Sequence, residues 1–76
     1  MSIAPNRFLA DRQWRELFDQ LRLALREAAE LEPRLVDESA PEEEWTRTWA
    51  DYAGLIARAG FLQQRLLARR IALLED

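Results

Sequence analysis

Two long segments of the chain repeat apolar residues at helical spacing. From about residue 7 to residue 32, apolar positions recur at alternating intervals of four and three residues, which is typical of a helix that buries one stripe. The members of this stripe are Ala10, Trp14, Leu17, Leu21, Ala24, Ala28 and Leu31. Asn6 is a suitable N-cap, and Pro33 disfavours helical geometry at Glu32. The pattern therefore predicts a helix that begins after Asn6 and ends at Glu32.

The second segment, from about residue 41 to residue 74, has a broader apolar face. Ser39 and Glu42 have the spacing of a capping box, which marks the start of a helix. Beyond them, apolar side chains cover about half of the helix circumference. Gly54 and Gly60 lie inside this segment, and its one proline, Pro41, falls in the first turn. We expect one long helix, and leave open a break near either glycine.

The two patterns together predict an all-α fold with a single domain over residues 1–76. The helices at about 7–32 and 41–74 would form an antiparallel hairpin, because the connection between them is short. Leu35 would then lie opposite Trp45. The other expected pairs are Leu31 with Trp49, Ala28 with Tyr52, Ala24 with Ile56, Leu21 with Ala59 and Gly60, and Trp14 with Leu66.

The apolar face of the second helix is wider than the roughly 100° that one neighbouring helix covers. One shoulder of this face holds Leu55, Leu62 and Leu73. The other shoulder holds Ala53, Gly60, Leu67 and Ile71. One of them should stay exposed in an isolated hairpin, and an exposed apolar patch usually marks an interface.

The simplest way to cover that surface is a homodimer of two hairpins in a four-helix bundle. The other way to cover it is with a groove or helix of a different protein. The residues expected at the interface are Trp45, Trp49, Tyr52, Leu55, Ile56, Ala59, Gly60, Leu62, Gln63, Leu66, Leu67 and Leu73.

Composition narrows the possible partners. A chain of 76 residues usually needs disulfides, a metal or a partner subunit to be stable, and this one has neither cysteine nor histidine. We therefore expect a partner subunit, with no metal and no cofactor. The net charge of −3 argues against nucleic acid as a partner. Apolar runs fall short of the roughly 18 residues of a membrane span, and no secretory signal is evident, so we expect a cytoplasmic protein.

Single polar and aromatic residues allow two interpretations each. One interpretation places Trp14, Trp45 and Trp49 in the core. The other makes Trp45 and Trp49, at the tip of the hairpin, an interface hot spot. Gln63 falls within the apolar face, where a polar residue can fix the register or oligomeric state of a bundle.

An arginine stripe on the back of the second helix also has two interpretations. Its members are Arg47, Arg58, Arg65 and Arg69, with Phe61 beside them. The stripe is either a solvated face or a secondary docking surface for an acidic partner or a phosphate group.

Acidic residues dominate the connection between the helices, where residues 33–44 hold five acids and one arginine. Three of these acids would start the second helix, where the helix dipole favours negative charge. Steering toward a basic partner is the other interpretation. Catalytic carboxylates need burial to tune their pKa, and the acids here fall on solvated faces, so we expect no enzymatic activity.

These observations lead to a function hypothesis and two alternatives. The hypothesis is a small regulatory protein–protein interaction module, of the adaptor, inhibitor or co-chaperone type, that acts through an apolar helix face as a homodimer. One alternative is a binder of nucleic acid or phosphate ligands through the arginine stripe. The other is a structural subunit of a larger assembly, such as a phage particle.

Overall fold

The computed structural model describes residues 6–75, and every regular element in that range is a helix. Helix α1 spans Arg7–Ala10, α2 spans Arg12–Leu35 and α3 spans Glu42–Glu75. The two long helices, α2 and α3, pack against each other. The predicted all-α fold is confirmed for this range, with three helices rather than two. Residues 1–5 and 76 of the predicted domain lie outside the described residues.

The first predicted helix begins as expected but is divided at Asp11. The side chain of Asn6 caps α1, accepting hydrogen bonds from two backbone N–H groups, the shorter one 2.9 Å from Phe8. Asp11 then adopts an extended conformation with ψ of 118° and ends α1. Its carboxylate accepts a 2.8 Å bond from the N–H of Trp14 and caps α2. The prediction of one continuous helix from residue 7 is therefore wrong.

The prediction that Pro33 ends the first long helix is also wrong, because α2 continues through it to Leu35. Proline lacks the N–H that would bond the carbonyl of Ala29, four residues earlier. Pro33 and Ala29 are both exposed, so water can bond that carbonyl. In the last turn of a helix this one lost bond is tolerated, since the terminal carbonyls lack helical partners anyway.

Helix α3 begins close to its predicted position without the predicted capping box. The N–H and hydroxyl of Ser39 both bond the Oδ1 atom of Asp37, at 3.0 and 2.7 Å, so Ser39 closes the turn before the helix. The first helical bond runs instead from the N–H of Trp45 to the carbonyl of Pro41, at 2.9 Å. The Ser39 N–H, which a capping box would give to the Glu42 carboxylate, is donated to the Asp37 carboxylate instead.

Helix α3 has no break at either of its glycines. The helix runs for 34 residues without interruption through Gly54 and Gly60. A glycine costs up to about 1 kcal/mol in a helix interior, and packing along α2 offsets that cost.

Two contacts between the long helices agree with the predicted register. At the hairpin end, the indole N–H of Trp45 donates a 2.8 Å bond to the carbonyl of Leu35. Further along, the core contains Leu17 of α2 with Leu62 and Leu66 of α3. Trp14 and Leu21 pack against this group from α2, which is the level at which Trp14 was expected to meet Leu66.

The hairpin is a single layer of helices. Its principal extents are 58 × 25 × 14 Å, and the smallest one is close to the ~10–12 Å diameter of one helix. The radius of gyration is 17.4 Å, whereas a compact domain of this length has about 11 Å. No described side chain is entirely buried. The core is therefore a line between two helices, with no second layer to cover either side.

Candidate interaction face

Helix α3 has two adjacent apolar seams. The inner seam is buried or half-buried against α2 and comprises Thr48, Tyr52, Leu55, Ala59, Leu62, Leu66, Arg69 and Leu73. The outer seam follows it by one residue, is exposed, and comprises Trp49, Ala53, Ile56, Gly60, Gln63, Leu67, Arg70 and Leu74. One residue turns a helix by about 100°, so the outer seam points out of the plane of the hairpin.

Helix α2 contributes to the same side of the molecule. Phe18 and Leu25 each follow a buried residue by one position, Leu17 and Ala24 respectively, and both are exposed. The two long helices run in opposite directions and face each other. A step of one residue after the inner seam therefore turns toward the same side of the hairpin on both helices. The apolar face is the exposed set on that side: Phe18, Leu25, Trp45, Trp49, Ile56, Leu67, Ile71 and Leu74.

Stacked aromatic rings mark the hairpin end of the apolar face. The rings of Trp45 and Trp49 stack with centroids 5.9 Å apart, and Tyr52 stacks on Trp49 at 5.7 Å. The indole N–H of Trp45 is bonded to Leu35, which holds this ring at the tip. Trp49 remains half exposed, so it is the tryptophan best placed to contact a partner.

A second aromatic stack marks the opposite end. The ring of Trp14 lies 5.5 Å from Phe8 and 4.9 Å from Phe18, centroid to centroid. The guanidinium carbon of Arg70 lies 6.0 Å from the centroid of Phe8, in cation–π geometry. The division of the first helix at Asp11 makes this arrangement possible, since it brings Phe8 back over Trp14. The apolar face thus has a rigid aromatic group at each end.

The ion pair at this end joins all three helices. Both carboxylate oxygens of Asp11 accept hydrogen bonds from Arg69, at 2.6 and 2.9 Å. This pair, followed by the N–H of Trp14, lowers the pKa of Asp11 from 3.8 to about 2. A guanidinium nitrogen of Arg7 also donates a 3.4 Å bond to the carbonyl of Leu73. The end of α3 is therefore held by charged contacts where the apolar core runs out.

The arginine stripe is divided by the structure. Arg69 lies on the inner seam with Asp11, away from the other three. Arg58 and Arg65 remain on the side opposite the apolar face, where they line a groove with Phe61 and with Glu16 of α2. The guanidinium carbon of Arg65 lies 5.8 Å from the Phe61 ring centroid. The groove therefore combines arginines with an acid.

Acids neighbour the remaining members of this stripe. Arg47 lies 4.0 Å from Glu43 in an exposed pair. A second groove on the same side places Glu27, Glu30 and Asp51 near Arg58. The local charge on this side is therefore mixed rather than uniformly positive.

The predicted interface residues separate into two groups. Those on the side of α3 that contacts α2 are Tyr52, Leu55, Ala59, Leu62, Leu66 and Leu73. Those left exposed are Trp45, Trp49, Ile56, Gly60, Gln63 and Leu67. The uncovered shoulder of α3 is thus the one that holds Ala53, Gly60, Leu67 and Ile71. Ile56, which was expected opposite Ala24 in the core, lies on the surface with 43% of its area exposed.

Sequence reasoning missed the contribution of α2 to this face. Phe18 and Leu25 were not among the expected interface residues, although each is exposed beside the inner seam. The signal that could have found them is the one-residue offset, because the same offset separates the two seams of α3. An apolar residue directly after a seam position on both helices indicates a shared second face.

Comparison of the sequence with models of known protein families and with curated proteins, and of the fold with solved structures, found no match. Within residues 6–75, no group of acidic side chains is arranged to hold a metal ion. None of the helices in that range combines the length and the apolar character needed to cross a membrane.

Proposed function

We propose that this chain is a protein–protein interaction module that binds another polypeptide through its apolar face, and that a second copy of the chain is its partner in a four-helix bundle. The observation that carries the proposal is the apolar face itself, which extends over both long helices of a single-layer fold. Domains normally bury such a face against a second layer. A second hairpin supplies that layer.

The surface area of the chain is consistent with a missing layer. Its accessible surface is 6293 Å², whereas a folded monomer of 8.9 kDa has about 4,800 Å². The excess is about 1,500 Å², and a stable interface needs about 800 Å² from each partner. The hairpin therefore exposes more than enough additional surface to form a stable dimer.

The angle between the two seams also supports a bundle of four helices. Successive residues lie about 100° apart around a helix, and this step separates the inner seam of α3 from the outer seam. In a square bundle each helix contacts two neighbours about 90° apart. A bundle of three helices would need about 60° instead. The inner seam contacts α2, and the outer seam is directed where a fourfold arrangement places a second neighbour.

Binding of phosphate or nucleic acid is not favoured over this function. Arg58 and Arg65 share their groove with Glu16, and a carboxylate repels a phosphate group. Arg69 is engaged by Asp11. Because one of its arginines is engaged and acids lie beside the others, the arginine stripe is a weak site for phosphate.

Sedimentation equilibrium of two matched variants tests the proposal. Ile56→Asp places a charge on the apolar face, whereas Phe61→Asp places the same charge on the opposite side of the same helix. Both side chains are exposed, at 43% and 62%, so neither substitution should prevent the hairpin from folding. We expect the native chain and Phe61→Asp to be dimers at micromolar concentration, and Ile56→Asp to be a folded monomer by circular dichroism.

Two results would contradict the proposal. One is a native chain that stays monomeric up to millimolar concentration. The other is a dimer that Phe61→Asp disrupts and Ile56→Asp leaves intact, since that would place the contact on the arginine side.

A further inference from the structure

The spacing of residues along the outer seam of α3 is the same in both directions. Its intervals are four, three, four, three, four, three and four, a series that is symmetric about its centre between residues 61 and 62. Around that centre the residues form pairs of similar or complementary size. The pairs are Gly60 with Gln63, Ile56 with Leu67, Ala53 with Arg70, and Trp49 with Leu74.

We infer that α3 packs antiparallel on α3 of a second copy, with the two-fold axis passing between Gly60 and Gln63. The inference rests on the proposed function and adds the arrangement of the dimer to it. In this register, each residue of a pair lies opposite its counterpart in the other chain. Ile56 of one copy then contacts Leu67 of the other, and Trp49 covers Leu74.

The centre of the seam fits this register. A Cβ atom at Gly60 would meet no heavy atom within 4 Å, so the surface above this glycine is open. Gln63 of the second copy, a longer and polar side chain, would occupy that space. The two Gln63 residues are offset along the axis by about 4.5 Å, three residues at 1.5 Å each. Their amide groups can therefore bond each other, which satisfies both when they are buried.

Charge favours contact between the two α3 helices over contact of α3 with α2 of the second copy. The outer seam of α3 carries no acidic residue, and its one charged residue is Arg70. The outer positions of α2 include Arg15 and Arg22. Packing α3 on α2 would bury these arginines against a surface with no acid to pair them, which is costly.

In the antiparallel register, α2 lies beside α2 of the second copy, so Arg15 and Arg22 face that helix rather than α3. The level of the two-fold axis on α2 is near Phe18, so the two copies of Phe18 approach each other beside the α3 contact. Arg15 and Arg22 flank Phe18, and Asp19 lies between them in the sequence. Asp19 of each copy is therefore within reach of arginines from the other. An apolar centre with a charged rim is the usual anatomy of an interface.

Disulfide trapping tests the register, because the chain has no cysteine of its own. Two single-cysteine chains, Ile56→Cys and Leu67→Cys, are mixed and equilibrated in a glutathione redox buffer. The two thiols lie opposite each other only in the proposed register. Two copies of the Ile56→Cys chain would have their thiols displaced by about 16 Å along the axis, eleven residues at 1.5 Å each, which is too far for a disulfide.

The expected result is a heterodisulfide that exceeds each homodisulfide by about tenfold, since thiols held together in a dimer have millimolar effective concentration. The same mixture in denaturant should give a statistical distribution. A second mixture, Leu25→Cys with Ile56→Cys, reports contact of α3 with α2 of the other copy.

Each outcome separates the register from the proposed function. Trapping of residues 56 and 67 supports the register. Trapping of residues 25 and 56, or of neither pair, in a chain that sediments as a dimer overturns the register and leaves the function standing. A native chain that sediments only as a monomer overturns both.

Discussion

The carboxylate of Asp11 and the guanidinium of Arg69, 58 positions apart in the sequence, are joined by two hydrogen bonds. The same carboxylate accepts the N–H of Trp14 and so caps α2. One residue therefore ends a helix, begins another and holds the far end of α3. This end of the hairpin should be unusually sensitive to the charge on Asp11.

Acid should weaken the fold through Asp11. Its pKa is about 2 in the folded chain and 3.8 ordinarily, so folding favours the charged form. The stability that this provides is fully present above pH 3.8 and is lost as the pH falls toward 2. We expect Asp11→Asn to lower the melting temperature near neutral pH by several degrees and to flatten its decline between these pH values.

Thermal unfolding followed by circular dichroism as a function of pH makes the measurement. Arg12→Ala serves as the control, because it removes an exposed i,i+4 partner of Glu16. Such pairs contribute little, about 0.5 kcal/mol at most. A native chain whose melting temperature declines in acid no more steeply than that of Asp11→Asn would contradict the prediction.

Core packing should matter at Leu62 and not at Leu23. Leu62 is 4% exposed in the core with Leu17 and Leu66, whereas Leu23 is 53% exposed. We expect Leu62→Ala to lower the free energy of unfolding by about 2–4 kcal/mol, because it removes apolar contact and leaves a cavity. Leu23→Ala should change it by less than about 0.5 kcal/mol. Urea denaturation measures both, and equal effects would mean that the helical phase of α2 and α3 is misassigned.

The two glycines of α3 form a matched pair for the apolar face. Both are exposed, and a Cβ at either would meet no heavy atom within 4 Å in the isolated hairpin. In dilute solution, where the chain is monomeric, Gly54→Ala and Gly60→Ala should each stabilise the helix by up to about 1 kcal/mol. If a second copy packs on the outer seam, only Gly60→Ala should weaken dimerisation, since its methyl group occupies the space at the two-fold axis.

Unfolding at low concentration, combined with dimerisation constants from sedimentation, separates the two effects. Equal dimerisation constants for both alanine variants would exclude a close approach at Gly60.

Gln63 should limit the stability of the dimer while defining its register. Replacing a buried polar residue with leucine adds apolar contact and removes a desolvation cost. We expect Gln63→Leu to tighten dimerisation by about tenfold, or 1.4 kcal/mol, and to broaden the set of disulfides trapped. Gln20→Leu, on the opposite side of the hairpin, should leave both unchanged. Weaker dimerisation of Gln63→Leu would mean that the amide contributes net binding energy.

Several features of the fold follow from the sequence because their causes are local or periodic. The cap at Asn6 depends on the N–H groups of the next three residues. The register that pairs Leu35 with Trp45 follows from the length of the connection and from two repeats of the same period. The helical character of residues 42–75 follows from strong helix formers, although the sequence alone left a break at Gly54 or Gly60 open.

Other features depend on contacts that the sequence pattern does not reveal. The break at Asp11 is held by Arg69 from the end of α3, and a local pattern contains no information about that partner. Which shoulder of α3 faces α2 depends on a rotation of α3 about its own axis by about 100°. Both shoulders are apolar, so the periodicity of the sequence does not distinguish them. The tertiary structure decided it by turning Leu55, Leu62 and Leu73 toward α2, and so left Ile56 and Leu67 exposed.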